Sequence, residues 1–460
     1  MPTRQHLRII TQRLTHSATS ISCAFTLCLA LHSSGLAQPS MPSQSAPTQA
    51  ATSKAPQRQQ VQQTQQLQRI QQGPKRLRSR QSFGEQSSAL QGKSLEDLVN
   101  ALPRREAQVY DAPQIQIAIL LDVSGSMNGL INQARAELWK VVNAFNGATQ
   151  DGKEPEVRVA LYSYGTSQVD QYGLFLNPLI PLTTDLDRIS EVLFALKTSG
   201  SSEYCGASIL AAAKGQAWSS ASSDLKAIMI AGNESFRQGP IPPQRAFKEA
   251  GARGILTHTI HCGDPHQGIR DHWRAGATEG EGQFMNINHN AKEEYIPTPF
   301  DDQLEALNAQ LNETYLPYGT YGARGKANQI AQDANAASLS KASSLSRAQT
   351  KSGRYYNNAR WDLVDAYDRK TLKINQLSTD ALPKEMQSMS QTERLDYVKS
   401  FLNRRKEVQK RIAQLNLKRT SFLNKARAEK SGGDQRIDSA MIKALKDQAR
   451  ALGFIWPAQK

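Results

Sequence analysis

The chain has 460 residues, 39% of them hydrophobic and 21% charged, and a net charge of +15. That length admits two or three domains and a sizeable core, and beyond one short segment near the N-terminus the sequence has no long apolar run. The charge is unevenly spread: residues 1–112 carry 13 Lys and Arg against 5 Asp and Glu, residues 113–340 carry 17 against 24, and residues 341–460 carry 26 against 12. An acidic middle between basic ends implies either an anionic partner or basic arms lying on the acidic part.

The N-terminus reads as an export signal over residues 1–37. Arg4, Arg8 and Arg13 lead without any acid, Ile21 to Leu31 is apolar but short for a span, and Gly35-Leu36-Ala37 offers small residues for cleavage after Ala37. An uncleaved anchor is the alternative. Leu27 before Cys28 speaks against a lipoprotein. The expected location is periplasmic or secreted, with no membrane span after cleavage. Residues 38–108 are rich in Gln, Ser and Pro and cannot bury enough surface to order themselves. They read as a tether with basic spots at Lys75, Arg76, Arg78 and Arg80, and Ser94 to Leu102 as a short helix closing it.

Ile115 to Leu121 has the length and β-branched content of a strand buried on both faces. It stops in Asp122-Val123-Ser124-Gly125-Ser126. Leu130, Ile131, Ala134, Leu138, Val141, Val142 and Phe145 then recur at helical spacing. A buried strand therefore delivers three hard oxygens to the start of a helix, the crevice where open α/β sheets bind ligands. The bland alternative is a turn whose Asp and Ser cap that helix.

Strands and helices alternate onward. Val157–Tyr164 and Gly173–Ile180 read as strands, Thr183-Thr184-Asp185 as a cap for a helix to Leu196, and Gly206–Trp218 as a helix. Leu225–Ile230, Gly254–His261 and Gln283–Ile287 read as further strands, with helices at Gln244–Ala250, Arg270–Ala277 and Asp301–Leu316. The fold class is α/β: a doubly wound, mainly parallel six-stranded sheet over residues 109–320, followed by an α-helical C-terminal region.

Strand, D-x-S-x-S and helix in this order resemble a von Willebrand factor type A domain. The resemblance implies a metal-ion-dependent adhesion site at Asp122, Ser124 and Ser126, with further oxygens from two other loops. Where the family has Thr, this chain reads Ser199-Gly200-Ser201-Ser202-Glu203, so Ser202 matches and Glu203 stands beside it. Where the family has Asp, it reads Ala231-Gly232-Asn233-Glu234, so Gly232 takes the Asp position, with Asn233 and Glu234 close behind. The implied cofactor is Mg²⁺, or Mn²⁺ or Ca²⁺, since hard cations prefer oxygen and Mg²⁺ keeps several waters. The implied partner is a protein whose acidic group completes the metal shell.

Two cysteines, Cys205 and Cys262, remain after signal removal. Both fall at the crevice end, and a disulfide bracing the two loops is the expectation, with free buried thiols or a metal pair as alternatives. A zinc centre using His258, His261 and Cys262 conflicts with strand geometry, because residues three apart point to opposite faces. Enzymatic motifs are missing: there is no G-x-S-x-G elbow and no G-x-x-x-x-G-K-[ST] loop. The chain reads as a binder and not an enzyme.

Residues 321–355, rich in Ala, Ser, Gln and Asn, read as a helical extension fading into a linker. Residues 356–460 read as a basic α-helical region: a short helix around Trp361–Tyr367, one long helix or a helical pair over Ser390–Lys430, and a last helix from Met441 to Leu452 stopping at Gly453. Arg404, Arg405, Lys406, Lys410 and Arg411 are expected to be solvated. Together with E-Y-C-G, A-G-N-E and H-C-G, this part also resembles a group of exported bacterial A-domain proteins. The leading expectation is a metal-ion-dependent protein-binding module of the cell envelope. Behind it stand a structural envelope protein with a degenerate, metal-free scaffold that binds an anionic envelope polymer through its basic helices, and then a metal-dependent hydrolase. Nucleic acid is disfavoured by export and by the lack of a reading motif.

Overall fold

A computed structural model describes residues 93–168, 170, 172–200, 202–288, 295–429 and 437–457. The expected export signal, and the tether up to residue 92, lie outside the described residues. The first element is α1 (Leu95–Ala101), opened by a reciprocal cap between Ser94 and Asp97.

Six strands form one sheet: β1 (Gln114–Asp122), β2 (Glu156–Tyr164), β3 (Leu176–Thr183), β4 (Leu225–Gly232), β5 (Leu256–Cys262) and β6 (Glu281–Ile287). Their order is β3-β2-β1-β4-β5-β6, and only β3 runs antiparallel to its neighbour. Helices cross between them: α2 (Asn128–Asn143), α3 (Leu186–Ala195), α4 (Cys205–Gly215), α5 (Pro243–Gly251), α6 (Pro265–Arg270), α7 (Trp273–Glu279) and α8 (Asp301–Asn312). The one short helix expected over Arg270–Ala277 is two, because His272 adopts a left-handed φ of 71° between α6 and α7.

The sheet divides two apolar cores. Ile115, Ile117 and Leu121 of β1 face α2 and α3, while Ala118 and Leu120 face α1, α4 and α5. β1 lies at the centre, so both faces are dry and its apolar run needs no alternation.

The C-terminal helices are α9 (Gly322–Leu339), α10 (Lys341–Ser352), α11 (Leu363–Asp368), α12 (Gln391–Glu429) and α13 (Ile437–Ala451). α9 and α10 occupy the stretch read as a helical extension, and residues 353–362 join α10 to α11. The buried sides of α9 and α10 are made of Gln329, Gln332, Ala336, Leu345, Arg347, Ala348 and Lys351, too polar a set to reveal burial by periodicity. Arg347 pairs with Asp187 of α3 at 2.8 Å and with Asp333 at 2.5 Å, and lies over the Trp139 ring. Arg405, expected in solvent, is buried: it pairs with Asp362 at 2.5 Å and Asp365 at 2.6 Å and covers the Tyr315 ring. Arg404 and Lys406 are exposed, as expected, and pair with Glu313 and Asp368.

Candidate metal centre

β1 ends at the middle of the sheet's carboxyl edge, which places the D-x-S-x-S turn in the crevice above it. Asp122 is fully buried. Its Oδ1 accepts from the Ser124 backbone N–H at 2.7 Å, so the carboxylate shapes its own turn. No side chain caps α2, so the turn's oxygens are not spent on helix capping. The capping alternative is thereby removed.

Glu203 reaches the same point from the loop before α4. It is buried, and its backbone N–H donates to Gln238 Oε1 at 2.5 Å. The Ser124 side chain faces both carboxylates. Two close approaches make room for them. Gly165 (φ +69°) follows β2, and a Cβ there would lie 2.8 Å from Asp122 Oδ1 and 3.1 Å from Glu203 Cγ. Gly200 (φ +121°) lets the next loop touch the Gly165 backbone. Gly200 lies in the Ser199–Glu203 stretch that the sequence singles out, whereas nothing in the sequence marks Gly165.

Three acceptors remain bare. Asp122 Oδ2, Glu203 Oε2 and Asn233 Oδ1 are buried without a hydrogen-bond donor. Buried carboxylate oxygens in that state are costly unless a cation or proton meets them. Burial accordingly pushes the Asp122 carboxyl up to about 7; Ser124 opposes the shift, and the charges of Glu203 and Glu234 add to it. Burial, then Glu234, also raises Glu203.

The other expected ligands stand further out. Ser126 is exposed and accepts from Asn233 Nδ2 at 3.3 Å, which ties the turn to the loop after β4. Glu234 is exposed and reaches the cluster through its charge. Ser202 is half-buried beside Glu203, with no hydrogen bond into the cluster among the described residues. Asn233, close behind Gly232 in the sequence but left out of the expected ligand set, brings a bare amide oxygen to the loop after β4, following an apolar strand as Asp122 follows β1. Among the described residues, no three His, Cys, Asp or Glu side chains group closely enough to hold a metal alone. An ion here must take hydroxyl, amide or water oxygens as well, which suits a hard cation.

Gly232 stands beside Asp122, as the pairing of Leu121 with Ala231 requires. A Cβ on it would lie 2.4 Å from the Tyr164 hydroxyl and 3.1 Å from Asp122 Oδ2. Tyr164, fully buried and donating to Ala231 O at 2.8 Å, fills the space a side chain at this position would need. The resemblance had left an aspartate missing here, and the tyrosine is what replaces its volume.

The expected disulfide does not form. Cys205 and Cys262 are both free and buried. Cys262 lies with Ile260 and Met285 on one face of the sheet, and Cys205 packs with Ala118 and Tyr164 on the other, so the sheet separates them. Burial raises both thiols well above their usual range. The two histidines also divide: His258 meets Gln448 of α13 at 2.9 Å, while His261 bonds Asn286 and packs edge-on against Trp273.

A central parallel strand ending in D-x-S-x-S, with β3 alone reversed at one edge, decides the architecture. This is a von Willebrand factor type A-like fold. No protein-family model matches the chain, and no curated protein matches it either. Among solved structures it is similar to BatB from Bacteroides thetaiotaomicron (14% identity, 38% of this chain and 90% of that one, TM-score 0.30). It is also similar to a von Willebrand factor type A protein from Catenulispora acidiphila (14% identity, 40% and 44%, TM-score 0.28), and to the SpRpn10 VWA domain (14%, 38% and 87%, TM-score 0.27). At such scores the strand order of this chain, and not the matches, supports the assignment.

Proposed function

We propose that the von Willebrand A-like domain is a divalent-cation-dependent protein-binding module of the cell envelope, acting outside the cytoplasm. The observation behind this reading is that Asp122 Oδ2, Glu203 Oε2 and Asn233 Oδ1, on or beside the D-x-S-x-S turn, are each buried and bare. Asp122, Ser124 and Glu203 would hold the ion, and Ser126 and Asn233 would line its open side. Mg²⁺ supplies a positive centre that keeps positions for water or a partner's oxygen, and an acidic side chain of a protein partner completes the shell. The chain's own residues orient and neutralise: Ser124 N–H fixes Asp122, and Gln238 fixes the Glu203 backbone.

Binding is favoured over hydrolysis by the surroundings. The nearby thiols are held protonated by burial, and His261 is bonded to Asn286 under Trp273. The test is titration calorimetry of the full chain with Mg²⁺, Mn²⁺ and Ca²⁺, followed by a pull-down from envelope extract with and without chelator. The expected result is ion binding lost in Asp122→Ala and in Glu203→Gln, and a partner released by chelator. Absence of heat and of thermal shift with all three ions would overturn the reading in favour of a metal-free scaffold.

A further inference from the structure

The distal half of α12 is more basic than any fold requirement explains. Between Lys410 and Arg427 it carries Lys410, Arg411, Lys418, Arg419, Lys425 and Arg427 and no acidic residue. Only Arg419 is spent on an ion pair among the described residues, with Asp301 at 2.9 Å. The helix packs through Val408, Ile412, Asn416 and Leu423, which are buried. At 100° per residue, Lys410, Arg411, Lys418 and Lys425 fall together on the opposite face, all exposed, over about 22 Å of helix. Leu417 and Phe422 flank that row, 71% and 39% exposed.

We infer that this face docks on a bilayer surface bearing anionic headgroups. Charge complementarity identifies the anion, and the two apolar side chains identify the bilayer. A soluble polyanion would engage the lysines and leave Leu417 and Phe422 in water, whereas at a membrane the cations sit among headgroups while a flanking leucine and phenylalanine reach the acyl boundary. The helix lies on the surface and does not cross it: no helix among the described residues is long and apolar enough to span a membrane.

The test is co-sedimentation of the full chain with vesicles of equal phosphatidylglycerol and phosphatidylcholine, against vesicles of phosphatidylcholine alone. Every variant shares the N-terminal segment, so its contribution cancels between them. Binding in excess to the anionic vesicles is expected, weakening with salt. Each basic residue near an anionic surface contributes about a factor of five, so Lys410→Gln, Lys418→Gln and Lys425→Gln together should weaken binding about a hundredfold. Leu417→Ser with Phe422→Ser should weaken it several-fold at unchanged charge. All five positions are exposed or nearly so, and an unaltered circular dichroism spectrum confirms folding. No preference for anionic vesicles, or a preference indifferent to either set of changes, overturns the inference. So does inorganic polyphosphate binding that depends on the lysines while the Leu417 and Phe422 changes leave vesicle binding untouched, since that pattern marks a soluble polyanion site.

Discussion

Asp122 holds one bonded and one bare oxygen in a dry crevice, and the pH dependence of the folded state reports on it. Its carboxyl titrates at about 7 in the cation-free protein against 3.8 when unfolded, so between those values the folded state binds the extra proton. Stability from this group is present below about pH 4 and is lost as pH rises through 7, on the order of 4 kcal/mol. A cation binds the ionised form, so the rise in melting temperature caused by Mg²⁺ should grow from pH 5 to pH 8. Asp122→Asn should remove both the slope and the Mg²⁺ shift while stabilising the cation-free protein at pH 8. Scanning fluorimetry with EDTA or Mg²⁺ at four pH values measures this, and an equal shift at pH 5 and pH 8 would count against it. Gly232 offers a second handle. Gly232→Asp alone should lower the melting temperature by several degrees, because the new side chain meets the Tyr164 hydroxyl. Adding Tyr164→Phe frees that space at a cost of about 1 kcal/mol for the lost bond to Ala231 O. The double variant should then bind Mg²⁺ about tenfold more tightly by calorimetry. Asp122 and Ser124 were legible in the sequence because they follow a buried strand, and Glu203 because it stands beside the position that the family resemblance marks. Tyr164 was not, because its role depends on which strand lies beside which.

At the scale of elements, the sheet was legible because β1, β2, β4 and β5 bury both faces and write that burial as apolar runs. α9 and α10 were legible as helices but their burial was not, because they bury charge and amide and stabilise it by pairing. The contact of α13 with the sheet shows how one polar residue can fasten an element. His258 Nδ1 accepts from the Gln283 backbone N–H at 3.2 Å, so its Nε2 carries the proton and donates to Gln448 of α13 at 2.9 Å. Burial then pushes the imidazole down to about 4, with the Gln448 bond opposing. The unfolded chain protonates near 6.5, so the stability contributed here is full above that pH and is lost as pH falls through 4, on the order of 3 kcal/mol. Protonation at Nδ1 sets the His258 and Gln283 N–H groups against each other and loosens β6 from β5, while the Nε2 bond to Gln448 persists. Hydrogen exchange in β6 should therefore speed up between pH 7 and pH 4.5 beyond its intrinsic pH dependence. His258→Phe should flatten that change, and equal protection in both proteins at pH 4.5 would contradict the fastening role.

For the whole molecule, the question is whether the sheet and its first eight helices could stand without the rest. The core on the α2 side includes Leu345, Tyr355, Tyr356, Trp361, Met441, Leu445 and Phe454 along with the strands. Polar ties follow the same seam: Tyr355 donates to Phe145 O at 2.7 Å, Tyr356 to Asp187 at 2.6 Å, and Gln150 to Leu452 O at 2.7 Å. Asp187 sits at the centre, fully paired only while Arg347 and Tyr356 cover it. A chain ending at residue 320 would expose the Trp139 and Phe145 surfaces and leave Asp187 without its cation. Such a fragment should aggregate or melt well below the full chain, whereas a free-standing sheet domain would keep its melting temperature. A gentler version keeps the chain intact. Arg405→Ala strands Asp362 and Asp365 in burial and should cost about 3–5 kcal/mol in urea unfolding. Arg405→Met with Asp362→Asn should cost less, since the carboxylate that would be stranded becomes an amide. Were Arg405→Ala to unfold like the parent, the paired charges would be mere packing, and the C-terminal helices would have to be held by their apolar contacts alone.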